Sequence, residues 1–77
     1  MEFPQFRKLT NGKSYYKIAG PTQFIELQNI GSKWLSYTYQ LSQFPDLLRL
    51  NAMLNAEAPF EMAEEQEFLE IEKQTQL

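Results

Sequence analysis

Phe6-Arg7-Lys8-Leu9-Thr10-Asn11-Gly12-Lys13-Ser14-Tyr15-Tyr16-Lys17-Ile18 is the stretch that decides the fold of this chain. Asn11-Gly12 stands between two runs of strand-forming residues. Both central positions of a type I′ turn need positive φ, which Asn and Gly tolerate best. An antiparallel hairpin is therefore expected at the start. The next break is Ala19-Gly20-Pro21-Thr22. Proline in its third position does not fit a tight primed turn, so a longer loop is expected there.

Residues 22–29 and 33–41 read as a second hairpin around Gly31. Parity leaves two registers. A two-residue Gly31-Ser32 turn sets Leu35, Tyr37 and Tyr39 beside Phe24, Glu26 and Gln28, whereas an odd-length loop brings Ile25 and Leu27 beside Leu35, Tyr37, Tyr39 and Leu41. A slip of one residue turns the whole apolar set to the other face. The odd loop gathers the apolar residues and is favoured, with Gly31 left-handed beside a bulge. Trp34, Ser36, Thr38 and Gln40 then make a largely polar face, which suits a sheet covered on one side only.

After residue 42 the period changes. Pro45 suits a first helical turn and Asp46 complements the helix dipole. Leu47, Leu50, Met53 and Leu54 make one apolar stripe at helical spacing. Ala58-Pro59 ends this helix, because a residue before proline avoids the α region. A second helix is expected over residues 59–73, with residues 74–77 fraying. The expected class is α+β: an antiparallel four-stranded β-meander followed by one or two C-terminal helices packed on one face. One domain covers residues 1–77, with the meander in 1–42 and an acidic helical part in 43–77.

The 77 residues, 43% hydrophobic and 22% charged, have a globular composition and room for one core. There is no cysteine and no histidine, which removes disulfides, thiol and imidazole catalysis, and Cys/His metal sites. Residues 1–42 carry Arg7, Lys8, Lys13, Lys17 and Lys33 against Glu2 and Glu26, a net +3. Residues 43–77 carry Arg49 and Lys73 against Asp46, Glu57, Glu61, Glu64, Glu65, Glu67, Glu70 and Glu72, a net −6. No stretch has the basic start and apolar run of a secretory signal or the length to span a bilayer. Together with the absence of cysteine, this leads to an expected cytoplasmic location.

Glu61, Glu64, Glu67 and Glu70 recur every third residue, a spacing that brings carboxylates together on a helix. Bundle sites of that kind usually add histidine, so a solvated acidic face is expected, with no metal and no cofactor. On a continuous helix Phe60, Ala63, Phe68 and Ile71 form one stripe, while Met62 and Leu69 point almost the opposite way. Two apolar sides suggest an interface, and Met62, Phe68, Leu69 and Trp34 are the candidate protein-interaction residues. Catalysis lacks material: no histidine activates a serine, no G-x-S-x-G elbow is present, and the three glycines are used by turns. No catalytic residue is expected.

The chain is accordingly expected to be a small non-catalytic protein-interaction module. Self-association is expected through docking of the acidic C-terminal helix on the aromatic and basic sheet, in a homo-oligomer or with another protein. The alternative is a single-stranded nucleic-acid-binding sheet that stacks bases on Tyr15 and Trp34 and holds phosphates with Lys17 and Lys33. No RNP-type motif is present, and the acidic second half would repel phosphate, so nucleic acid takes second place.

Overall fold

Residues 5–40 fold as the antiparallel meander that the turn residues predict, with strands β1 (Gln5–Leu9), β2 (Ser14–Gly20), β3 (Gln23–Ile30) and β4 (Lys33–Gln40). Helix α1 (Phe44–Leu54), a short strand β5 (Phe60–Met62) and helix α2 (Glu65–Gln74) follow. The computed structural model describes residues 2–42 and 44–75. Of the fraying expected over 74–77, Gln74 is instead helical and Thr75 caps the helix through its N–H to the Glu72 carbonyl, and the rest lies outside the described residues.

The hairpins differ from expectation in their turns. Gly12 N–H donates to the Leu9 carbonyl at 2.9 Å, the Asn11 side-chain oxygen accepts from Lys13 N–H at 2.8 Å, and Gly12 has φ +72°. This is a four-residue loop, not a type I′ turn centred on Asn11-Gly12. A type I′ hairpin would need Thr10 N–H and the Lys13 carbonyl for each other. Thr10 N–H instead donates to Pro59, and the Lys13 carbonyl accepts from Asn29 N–H. Between β2 and β3 the connection is only Pro21-Thr22, shorter than expected. A bulge between Ile18 and Gly20 absorbs the mismatch between a proline turn and the strand twist.

The second hairpin takes the register not favoured from sequence. Phe24 pairs with Tyr39, Glu26 with Tyr37, Gln28 with Leu35 and Ile30 with Lys33, around a two-residue Gly31-Ser32 turn. Gly31, at the first central position, has φ +66°, as a type II′ turn requires. The odd loop is favoured from sequence for gathering Ile25 and Leu27 with the apolar residues of β4, whereas the observed register sets Glu26 on the core side. Tertiary partners for Glu26, described below, reverse that preference.

Residues 60–62 were expected in a helix and instead form β5, antiparallel to β1, with Leu9 opposite Phe60 and Arg7 opposite Met62. Thr10 N–H to the Pro59 carbonyl (3.0 Å) and Ala63 N–H to the Phe6 carbonyl (3.2 Å) extend the pairing at both ends. The open edge of β1 supplies backbone partners, and these outweigh the helix propensity of Glu61 and Met62. The sheet therefore has five strands in the order β4-β3-β2-β1-β5, and α2 starts later than expected, at Glu65.

Because directly paired residues share a face, Arg7, Tyr16, Glu26 and Tyr37 point one way and Phe6, Tyr15, Leu27 and Trp34 the other. Leu50 and Met53 of α1 are buried on the first face with Tyr16, Ile18, Phe24 and Leu41. Each such side chain contributes about 1.5–3 kcal/mol on burial. On the opposite face, α2 buries Phe68 against Phe6 with ring centroids 5.6 Å apart. The helices thus divide between the two faces instead of sharing one. The observed register explains this. Ile25 and Leu27 join Trp34 on the second face and make its centre apolar, so it needs a cover of its own.

Candidate interaction surface

The expected helical stripe is split by β5. Phe60 packs edge-on against Tyr16 at 5.6 Å on the face covered by α1, whereas Phe68 is fully buried on the other face. Phe68 is therefore core, not contact surface. Met62 (65% exposed) and Leu69 (42%) are both on the surface, but one lies on the β5 edge strand and the other on α2. They do not form one helical side.

Tyr15, Lys17 and Trp34 share a sheet face, and Tyr15 meets Trp34 edge-on at 5.9 Å. Lys33 belongs to the opposite face, beside the turn. Helix α2 crosses the Tyr15 face, contacting β1, β2 and β4. Near its start Glu67 binds Lys8 Nζ at 3.2 Å. The Glu64 N–H, at 2.9 Å, holds the Glu67 carboxyl below its ordinary range, and Lys8 adds to this. The same contact with Glu67 raises the Lys8 ammonium above its ordinary value. Within one chain, α2 is held on this face by the buried Phe68 and, among the described residues, by the Lys8–Glu67 ion pair.

Two buried charged groups escaped the sequence reading. Glu26 is 4% exposed, and its carboxylate accepts hydrogen bonds from the hydroxyls of Tyr16 (2.9 Å) and Tyr39 (3.2 Å), with Arg49 Nη2 at 3.7 Å. The Arg49 guanidinium also stands 5.6 Å from the Phe24 ring centroid. Burial first, and then Glu26, raises both tyrosine hydroxyls above their ordinary pKa. The group ties α1, through Arg49, to three strands. Arg7, equally buried, donates from Nε to the Met53 carbonyl (2.7 Å) and from Nη2 to the Leu54 carbonyl (2.9 Å). Helix α1 has no basic residue in its last turn, and Arg7 of β1 supplies the cation that its C-terminal dipole favours. Burial lowers the Arg7 pKa. Two surface depressions, one beside Pro4, Arg7 and Met62 and one beside Lys33, Trp34 and Thr75, leave out Glu26 and its partners, whereas Arg7 lines the first.

The sheet's two edges are unlike. β5 is three residues long, preceded by Pro59 and carrying Glu61, features that discourage further pairing. β4 runs for eight residues with one charge, Lys33, at its first position, and with no proline and no bulge in its pairing to β3. Among the described residues no strand pairs with its outer side. Leu41 N–H donates inward to the Thr22 carbonyl, so odd-numbered residues of this strand bond to β3. The N–H and C=O groups of Trp34, Ser36, Thr38 and Gln40 consequently face outward. Helix α1 lies toward β1 and β5, and beyond it Ile30 (50% exposed), Leu35 and Tyr37 (39% each) form an apolar strip alongside this edge. The expected meander puts β4 at an edge, but that the fifth strand leaves this edge open by pairing with β1 is encoded by no local motif.

No helix among the described residues is long and apolar enough to cross a membrane. Comparison with protein-family models, curated proteins and solved structures gives no significant match.

Proposed function

We propose that this chain is a small non-catalytic protein-interaction module that meets its partner along the outer edge of β4. The observation that carries this reading is the unguarded eight-residue edge, flanked by exposed Ile30, Leu35 and Tyr37. Edge strands that stay free in solution are usually short, bulged, charged or covered, and strand addition is a recurrent mode of protein recognition. The acidic helix first expected to dock on a neighbour is engaged by the chain's own sheet, which transfers the contact to β4. A cytoplasmic setting fits the absence of cysteine.

The test is a photo-crosslinking amino acid placed at Ser36, on the β4 edge, and separately at exposed Glu57, in cells producing the protein. Discrete protein adducts from position 36 and none from position 57 are expected. A chain that forms no adduct from position 36 at native expression would refute the reading.

A further inference from the structure

We infer that the partner of β4 is a second copy of the same chain, paired antiparallel about a twofold axis through Tyr37 to give one continuous ten-stranded sheet. This rests on β4 being the contact strand. The axis follows from the backbone. The outward-facing residues Trp34, Ser36, Thr38 and Gln40 are centred on position 37, so only an axis there pairs all four. Trp34 then opposes Gln40 of the other copy and Ser36 opposes Thr38, making roughly eight new backbone hydrogen bonds.

Side chains and charge agree with this choice of occupant. A twofold axis normal to the sheet keeps like faces together, so the strips of Ile30, Leu35 and Tyr37 from the two copies become continuous. Tyr37 meets its own equivalent in a non-hydrogen-bonded pair, and Leu35 meets Tyr39, aromatic and aliphatic neighbours of the kind that stabilise sheets. Lys33 is the only charge on the strand, and antiparallel pairing sets the two lysines at opposite ends, about 27 Å apart at 3.4 Å per residue. That separation exceeds a Debye length of about 8–10 Å, whereas a parallel pair would hold the lysines about 5 Å apart. The strand is thus electrostatically self-compatible in one direction only. On α2, Glu65 and Glu67 lie in the first turn, at the β1 end, while the last turn, which carries Glu72 and Lys73 of opposite sign, is the part that reaches the Trp34 side of β4.

Light scattering across a concentration series is expected to show mass rising from 9.1 kDa to twice that value. Thr38→Pro removes an outward N–H without touching the β3 ladder, and Tyr37→Lys sets like charges on the axis. Each is expected to return the protein to monomer with unchanged circular dichroism. The chain has no native cysteine, so Tyr37→Cys provides a single reporter whose predicted Cα separation, about 4.5 Å, lies within disulfide range. At roughly 10 µM, pairing at millimolar effective concentration should make it oxidise to a covalent dimer on the order of 100-fold faster than the exposed control Leu48→Cys. A wild-type monomer at every concentration overturns the inference, as does a dimer that survives both edge variants or a Tyr37→Cys rate equal to that of Leu48→Cys. If the chain is monomeric while position 36 crosslinks to a different protein, the second copy is refuted and the edge reading stands.

Discussion

Replacing Arg7 with methionine isolates the contribution of one side chain that joins the first strand to the end of α1. The guanidinium donates to the Met53 and Leu54 carbonyls at 2.7 and 2.9 Å, and to Gln5 Oε1 and the Phe6 carbonyl. Met53 keeps a second partner, Ala56 N–H at 3.0 Å, so the carbonyl most exposed to loss is that of Leu54. A buried acceptor left unpaired costs about 1–3 kcal/mol. Loss of a well-placed cation at a helix C-terminus costs up to about 2 kcal/mol. Removing the buried guanidinium also relieves its desolvation, which offsets part of both, and a net loss of about 2 kcal/mol is expected. A domain of this size has roughly 4–12 kcal/mol in total at 0.05–0.15 kcal/mol per residue. The loss corresponds to a fall of about 8–16 °C in Tm at 4–8 °C per kcal/mol. Urea melts of Arg7→Met and Arg7→Lys measure it directly, with the slope m unchanged. Lysine keeps the charge and one donor direction, so it should recover about half of the loss. A methionine variant within about 0.5 kcal/mol of wild type, the range of neutral surface substitutions, would refute Arg7 as the anchor of α1.

Three further outcomes follow from the packing. Phe68→Ala should lose about 3–5 kcal/mol as a fully buried aromatic, while Leu69→Ala stays within about 0.5 kcal/mol; equal effects in urea melts would contradict the assignment of Phe68 to the core. Glu67 has a folded pKa below its unfolded value, so its contribution is complete above the ordinary carboxylate range and disappears as pH falls through the lowered value. Glu67→Gln should therefore flatten the acid limb of the stability–pH curve, and an unchanged limb would remove Glu67 as its source. Gly31→Ala meets no atom within 4 Å, so its cost is conformational, about 1–2 kcal/mol for a left-handed L-residue. Gly31→Asn should be milder in the same melt, and an alanine variant as stable as wild type would argue against the Gly31 turn geometry.

Much of the fold was legible because it depends on neighbours in the chain. Asn11-Gly12 and Gly31-Ser32 mark chain reversals by the backbone angles they permit, and Leu47, Leu50, Met53 and Leu54 announce α1 by spacing alone. Of the candidate surface, Met62 and Leu69 are exposed, while the pairing of Trp34 with Tyr15 on one face follows from a register the sequence did not favour. Helical spacing correctly sets Phe68 opposite Leu69, but which of the two sides the chain's own sheet covers is a tertiary choice, and that side is Phe68's.

What the sequence by itself determined is the meander, the helix after it and the opposite charge of the two halves, since turn chemistry, periodicity and ionisation are local properties. Only the tertiary structure decided the β3–β4 register, because a carboxylate can face the core once Tyr16, Tyr39 and Arg49 converge on it from two strands and a helix. It likewise decided β5, whose three residues form a strand because the edge of β1 accepts them. The open edge of β4 belongs with these. A meander already leaves its last strand at an edge, but that the edge stays open depends on β5 pairing with β1 and not with β4, which is no property of residues 33–40 taken alone.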